Sequence, residues 1–223
     1  MRISIEHKTT YRYHGEITHL AQYLRLTPAT NPSQRVIDWS VRANGQLSQW
    51  RDAYGNLCHT LVVERPTSEI VITARGRVDT DDMSGVLPPD ESGPPPEVFL
   101  RPTLLTRPGA ALREFAEGYR TQMESDSIAG LHDMMLGMRK VVAYDEDATH
   151  VQSTAAEAFE RGAGVCQDHA HIYIACCRLL GVPARYVSGY LYDGETAPIR
   201  GVRSGGDGDE EMDVAVRVGE AAQ

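Results

Sequence analysis

The sequence predicts an α+β fold in which a β-rich N-terminal region is followed by a helical core. Up to residue 80, segments either alternate apolar and polar residues or are rich in β-branched residues, which is typical of strands. From residue 108 onward, apolar residues recur at the spacing of one helix face. The chain of 223 residues is long enough to bury a core in one large domain or two small ones.

The N-terminal region is predicted to form a small antiparallel sheet layer or sandwich. Four of its segments have the strand pattern: "RISIEHKTTYRYHG", "VIDWSV", "NLCHTLVVE" and "EIVITARGRVDT". The stretch "DAYGN" at residues 52–56 is a turn signal, because Asp, Gly and Asn favour tight backbone turns. We expect this turn to connect two of the strands.

A change of composition follows the strands. Residues 81–108 hold seven of the twelve prolines, and proline lacks the backbone N–H that a helix or a central strand needs. An extended linker is therefore expected. The predicted domains are a β-rich region at 1–80, a proline-rich linker at 81–107 and a core at 108–223.

Four helices are expected in the core. The first has an apolar face formed by Ala111, Leu112, Phe115, Ala116 and Tyr119. The second begins at the N-cap Ser127 and has an apolar face formed by Ile128, Leu131, Met134, Met135, Met138 and Val142. The third begins with the capping-box pair Thr154 and Glu157, and Gly162 ends it.

The fourth helix is predicted from about Cys166 to Leu180 and is apolar nearly all round, so it should be the buried central helix. Gly181 and Pro183 stop it. The segment "RYVSGYLY" at 185–192 is then expected to be a strand beside this helix. In the tail at 193–223, the piece "MDVAVRV" has a strand pattern, and the rest is typical of a flexible loop.

Composition and charge exclude several classes of function. A formal net charge of −9 disfavours nucleic-acid binding, which needs a basic surface. No apolar run approaches the roughly 18 residues of a membrane span, and the N-terminus lacks the apolar centre of a signal peptide. We expect a cytoplasmic protein with no membrane or nucleic-acid partner and no cofactor.

Of the four cysteines, Cys166 has a distinct setting. Cys58, Cys176 and Cys177 have no zinc-type spacing and are interpreted as core residues, whereas Cys166 follows Gly162 and Gly164 where a buried helix begins. A helix N-terminus favours the thiolate, which is the attacking form of cysteine, and its free N–H groups can bind an oxyanion. These features suit a nucleophile, but on them alone a cysteine that only packs is an equally open alternative.

The residues around Cys166 resemble a known family. "GVCQDHAHIYIACCRLLGVPARYVSGYLYDG" is similar to the core motif of the bacterial transglutaminase-like superfamily, papain-fold cysteine enzymes that include candidate cysteine proteases. Upstream, Tyr144, Thr149, Ala156 and Gly164 match the approach to its nucleophile. "QYLRLTP" at 22–28 and "DAYGN" resemble the family's β-rich N-terminal region, so the resemblance covers roughly residues 1–192.

The resemblance implies acyl transfer at an amide. In the family, a cysteine attacks a Gln carboxamide or a peptide carbonyl, and the acyl-enzyme passes to water or to an amine. A histidine takes the thiol proton and an acidic residue orients the histidine. The implied nucleophile here is Cys166, and the implied partner is a peptide or protein amide substrate.

The family's histidine and acid are missing from this sequence. The histidine should open a strand some tens of residues after the cysteine, but no histidine follows His171. Either the chain stops just before that strand, as a truncated core, or the strand has diverged so that Asp213 occupies the histidine position. In both cases the triad is incomplete, and we expect weak or no activity and a shortened sheet that pairs with a second copy of the chain.

Other residues near Cys166 have two interpretations each. His169 could replace the missing base or be a hydrogen-bonded supporting residue, and a metal site formed with His171 is a further alternative. Asp168, beside Gln167, is expected to be a hydrogen-bond acceptor in the first helical turn. Tyr144 could line the site or be a core aromatic.

Three functions stay open on these grounds. The first is an acyl-transfer or amide-hydrolysing enzyme, and whether this chain is an active enzyme is left undecided. The second is a non-catalytic binding or scaffold relative of the family. The third is a small thiol-reactive protein that uses Cys166 alone.

Overall fold

A computed structural model describes residues 1–88, 93–190, 192, 198–200 and 210–220, the last two ranges as backbone. The chain divides into two compact units. Unit 1 comprises Met1–Gly93 and Gly189–Gln223, and unit 2 comprises Pro94–Ser188. The three predicted domains at 1–80, 81–107 and 108–223 stay a prediction.

Within the described residues the fold is mixed α and β, as the sequence predicts, with the strands concentrated in the N-terminal part. The strands are β1 (Arg2–Ile17), β2 (Leu20–Leu24), β3 (Gln34–Ala43), β4 (Gln46–Arg51), β5 (Leu57–Val63), β6 (Thr67–Thr80), β7 (Ala143–Tyr144), β8 (Ala163–Gly164), β9 (Pro198–Arg200) and β10 (Glu210–Glu220). The helices are α1 (Ala110–Glu117), α2 (Arg120–Ser125), α3 (Ser127–Val141), α4 (Ala155–Arg161) and α5 (Cys166–Leu179). A 3₁₀-helix spans Pro96–Leu100.

Unit 1 contains two antiparallel sheets. One has the strand order β3-β6-β1-β10-β9 and the other has the order β2-β5-β4. Apolar residues from both sheets share one core, in which the buried members are Leu24, Leu61, Val63, Ile70 and Ile72. Alternating residues supply this core because successive side chains of a strand point to opposite faces.

The turn "DAYGN" forms between β4 and β5 as predicted. The Asp52 carboxylate accepts hydrogen bonds from the backbone N–H groups of Tyr54 and Asn56 at 2.9 and 3.0 Å. The Asn56 amide and the Arg25 guanidinium also donate to it, and these bonds hold the pKa of Asp52 well below its usual range. Gly55 has a φ of +80°, a conformation that favours glycine.

The tail strand predicted at "MDVAVRV" is present as part of β10, and its partner is β1. The register places Val214 opposite Thr9 and Asp213 opposite Thr10. β10 therefore lies within the sheet of unit 1, between β1 and β9. Most of the predicted loop before it, 193–197 and 201–209, lies outside the described residues.

Unit 2 is built around α5. The buried residues of its core come from α1, α3, α4 and α5 and from Val142, and they include Leu112, Met134, Met138, Ile172 and Cys176. Residues on several faces of α5 are buried, as expected for a helix that is apolar nearly all round. None of the helices in the described part of the chain is long and apolar enough to cross a membrane.

Helix ends follow the predicted signals with one exception. Thr154 and Glu157 form the capping box of α4, and Gly162 ends that helix with a φ of +71°. The N-cap of α3 is Asp126 rather than Ser127, because the Asp126 carboxylate accepts from the N–H groups of Ile128 and Ala129. The sequence also did not predict α2, which follows α1 after Gly118.

The strand predicted at 185–192 is wrong over the described residues, since 185–190 and 192 form neither strand nor helix. Arg178 of α5 gives a physical reason. Its guanidinium donates to the carbonyl oxygen of Ala184 at 2.8 Å and to that of Phe99 at 2.7 Å. The chain after α5 is thus anchored to the helix by a side chain, and not by a neighbouring strand.

Candidate active site

Cys166 is the first residue of α5 and is exposed, whereas the other three cysteines are buried. Burial raises the pKa of Cys176 to about 12 and that of Cys177 to about 11. Those two thiols are therefore protonated and shielded near neutral pH. Cys166 is the cysteine that solvent and a substrate can reach.

The backbone before Cys166 is fixed by short-range pairing. After Gly162, the strand β8 pairs with β7 in parallel, so that Tyr144 lies opposite Gly164. The N–H of Asp145 donates to the carbonyl oxygen of Gly164 at 3.1 Å. Val165 then forms the N-cap of α5 in an extended conformation. These contacts hold the turn that presents the thiol.

The first turn of α5, which carries Cys166, has backbone N–H groups without a helical partner. The N–H of His169 donates to the carbonyl oxygen of Val165 at 3.1 Å and forms the first hydrogen bond of the helix. The N–H groups of Cys166 and Gln167 precede this bond and have no partner within the helix. They are the type of donor that stabilises a developing oxyanion.

Asp168 lies directly behind this turn and is 1% exposed. Its Oδ2 accepts from the N–H of Val165 at 2.8 Å and from the hydroxyl of Thr149. A Cβ at Gly164 would lie 2.7 Å from the Cβ of Asp168, so this close approach requires glycine. Asp168 is a hydrogen-bond acceptor in the first turn, in the position that the sequence indicates.

Gln167 contacts the same neighbouring loop as Asp168. Its Nε2 donates to the carbonyl oxygen of Val151 at 3.2 Å. Thr149 and Val151 both belong to the segment between β7 and α4. Two consecutive side chains of α5 therefore hold this segment against the start of the helix.

His169 has both ring nitrogens turned toward backbone carbonyls. Nδ1 lies 2.9 Å from the carbonyl oxygen of Val165, and Nε2 lies 3.1 Å from that of Val142. A carbonyl oxygen only accepts, so a ring nitrogen that bonds to it must carry a proton. A neutral imidazole carries one N–H and donates to one of these two oxygens, and the two backbone contacts favour a supporting role over that of a base.

Tyr144 stacks on His169, with ring centroids 6.5 Å apart and an interplanar angle of 28°. It is 62% exposed and is not a core aromatic. Partial burial, together with the negative charges of Glu146 and Cys166, raises the pKa of its phenol. Tyr144 thus forms an exposed aromatic wall beside the thiol.

A second tyrosine near the thiol was not found from the sequence. Tyr186 lies 5.5 Å from the ring of the buried His171, and burial followed by the charge of Cys166 raises the pKa of its phenol. Its segment was interpreted as a strand, and no motif singles it out. His171 points into the core, where burial lowers its pKa.

The structure brings Cys166, Tyr144, Gln167, Asp168 and His169 together around one helix N-terminus. Among the described residues, no group of three or more His, Cys, Asp or Glu side chains is placed to hold a metal ion. The arrangement offers an accessible thiol, oxyanion donors and an aromatic wall. Of the two histidines of α5, His169 contacts backbone carbonyls through both ring nitrogens, and His171 is buried.

Two family models match the chain. Residues 3–79 match the bacterial transglutaminase-like N-terminal region, and residues 113–218 match the transglutaminase-like superfamily. Similar curated proteins include an uncharacterised protein of Mycobacterium leprae, 27% identical over 205 residues, which cover 86% of this chain and 71% of that protein. An uncharacterised protein of Mycobacterium tuberculosis strain H37Rv is 28% identical over 217 residues, covering 85% and 66%.

A solved structure has the same fold. It is that of a candidate cysteine protease from Cytophaga hutchinsonii, with a TM-score of 0.66, 20% sequence identity, and coverage of 82% of this chain and 65% of that one. This chain spans about two thirds of the length of the M. tuberculosis and C. hutchinsonii proteins. The two family models match most of its residues, one after the other. Residues 113–218 therefore match the transglutaminase-like superfamily, and residues 3–79 match the N-terminal region of its bacterial members.

Proposed function

We propose that this chain is a cysteine acyl-transfer or amide-hydrolysing protein whose nucleophile is Cys166. The observation that carries the proposal is the position of the thiol. It is exposed at the first residue of a buried helix, beside N–H groups that have no helical partner. The substrate class is a peptide or protein amide, either a Gln carboxamide or a peptide bond.

The reaction divides into two transfers. The Cys166 thiolate attacks the carbonyl carbon, a C–S bond forms, and the oxyanion is held by the N–H groups of Cys166 and Gln167. The tetrahedral intermediate then breaks its C–N bond, and the leaving amine takes up a proton. Water or a second amine attacks the thioester and releases Cys166.

The first transfer is expected to be slow for amides. An amine leaves only when a general acid supplies a proton, and normally this acid is the imidazolium that forms when a histidine takes the proton of the nucleophile. His169 is turned toward two carbonyl oxygens, and no histidine follows His171. We infer that the chain as written is weak or inactive on amides, while an activated ester, whose leaving group needs no proton, still acylates Cys166.

The second candidate is a non-catalytic binding or scaffold protein of the same family. It is favoured because both ring nitrogens of His169 contact backbone carbonyl oxygens. Incubation with an activated aryl ester, followed by intact mass and peptide mapping, separates the two. One acyl group on Cys166, absent in Cys166→Ala, supports the nucleophile. An unmodified Cys166 under these conditions supports the scaffold.

We also propose that the chain pairs with a second copy and is cytoplasmic. Light scattering after gel filtration measures the molar mass and tests the pairing. A mass equal to twice the 24.6 kDa of one chain is expected, and the mass of a single chain would exclude a stable pair.

A further inference from the structure

We propose that Asp168 is a positioning residue that sets the orientation of the Cys166 thiol, and that it acts through Val165 and Thr149. The inference rests on the proposed function, because it concerns how the nucleophile is aimed. It assigns a specific task to a buried carboxylate that the acyl-transfer steps themselves do not use.

One atom makes the two decisive contacts. Oδ2 of Asp168 accepts from the N–H of Val165, the residue immediately before Cys166, and from the hydroxyl of Thr149 in the segment between β7 and α4. These donors come from positions 16 residues apart in the sequence. A single acceptor therefore fixes the turn that carries the thiol relative to the neighbouring loop.

Burial makes this acceptor rigid. Asp168 is 1% exposed, so water cannot compete for Oδ2. Its Cβ approaches so closely to the backbone that residue 164 must be glycine. The carboxylate cannot move toward the turn or away from it without breaking one of its two bonds.

The bond to Val165 also has a chemical consequence. It occupies the N–H that precedes the thiol and leaves those of Cys166, Gln167 and Asp168 without a helical partner. Donors of this kind can stabilise an oxyanion. Asp168 thus removes the Val165 N–H from the donors that a substrate could use.

Substitutions at Thr149, whose hydroxyl donates to Asp168, test this role with little change of side-chain shape. Thr149→Val has nearly the same shape but no hydroxyl, and Thr149→Ser keeps the hydroxyl as the matched control. Asp168→Asn keeps an acceptor oxygen but lacks the charge. Each variant is compared with the wild type for the rate of Cys166 acylation by an activated aryl ester and for the rate of alkylation by iodoacetamide.

The ratio of the acylation rate to the alkylation rate separates an effect on the orientation of the thiol from an effect on folding. Acylation needs a defined direction of attack and an oxyanion site, whereas alkylation by a small reagent needs only an accessible thiolate. Because a misplacement near 1 Å can cost about a hundredfold, we expect Thr149→Val to slow acylation about ten- to a hundredfold. Alkylation should change less than about threefold on the same reasoning, and Thr149→Ser should restore acylation.

The outcomes are distinguishable. Acylation at the wild-type rate in both Thr149→Val and Asp168→Asn overturns the positioning role alone. Equal losses of acylation and alkylation, with a lowered melting temperature, also overturn it, because Asp168 would then act only on stability. A wild-type protein that is not acylated at Cys166 overturns the proposed function, and the inference with it.

Discussion

The Nε2 atom of His169 lies 3.1 Å from the carbonyl oxygen of Val142, at the end of α3. This contact ties the imidazole to the backbone at the end of α3, although His169 is only three positions after Cys166 on α5. The histidine nearest in sequence to the thiol is therefore used to join two helices. The proposed nucleophile Cys166 therefore has a neighbouring histidine whose ring contacts backbone carbonyls.

His169→Asn is expected to change the rate of Cys166 acylation by less than about tenfold, since removal of a working general base costs about 10²–10⁴-fold. The physical reason is that both ring nitrogens lie within hydrogen-bonding distance of backbone carbonyl oxygens. Stopped-flow acylation with an activated ester measures the rate, and His132→Asn, at an exposed position of α3, is the control. A hundredfold loss specific to His169→Asn would identify His169 as the base.

Cys166 is expected to be the one thiol of four that reacts quickly in the folded protein. The other three are buried, and burial raises the pKa of Cys176 and Cys177. Titration with a chromogenic disulfide should therefore give one equivalent under native conditions and four in denaturant. Cys166→Ala should give none before unfolding. Fast reaction of a second thiol would show that the core of unit 2 or the site of Cys58 opens readily.

Gly164→Ala is expected to destabilise the protein by about 1–3 kcal/mol, the usual cost of overpacking a tight contact. The added Cβ would lie 2.7 Å from the Cβ of Asp168, so the turn or the carboxylate must move. Gly15→Ala is the matched control, because nothing lies within 4 Å of its added Cβ. Urea denaturation measures both variants, and equal stability of the two would refute the close packing at Gly164.

Folding stability is expected to decline as the pH falls below about 6.5. Burial lowers the pKa of His7, His59 and His171 from the ordinary value of 6.5. The unfolded chain then binds more protons than the folded chain, so the free energy of unfolding falls until the folded-state pKa values are reached. Above pH 6.5 these histidines are neutral in both states and contribute no pH dependence.

Urea denaturation at pH 7.5 and pH 5.5 tests this decline before the carboxylates titrate. His59→Gln removes one of these three imidazoles and should show a smaller difference between the two pH values. An identical free energy of unfolding at both pH values would contradict the burial of these histidines.

Much of the fold follows from local patterns in the sequence. Alternating or β-branched segments predicted β1, β3, β5 and β6, but β2 and β4 were missed. The capping box with Gly162 predicted both ends of α4. Cys166 was placed correctly at the start of the buried helix because glycines and an apolar helix pattern lie on its two sides. These signals are local, so one sequence is enough to recognise them.

The remaining features depend on contacts between distant residues. The segment after α5 has a strand-like composition, yet Arg178 binds the carbonyl of Ala184 and no strand forms there. The pairing of β10 with β1 joins residues about two hundred positions apart. The engagement of His169 depends on Val142, 27 positions earlier, which no motif near Cys166 reveals.

The role of Cys166 as a nucleophile without a working base is tested most directly by the time course of an activated aryl ester with the wild-type protein and with Cys166→Ala. We expect a burst of one equivalent per chain that is absent in the variant, followed by little steady turnover. That result would indicate a reactive thiol at Cys166 that lacks a working general base. Sustained turnover that depends on Cys166 would contradict the claim of weak activity, and the absence of any burst would contradict the assignment of the nucleophile.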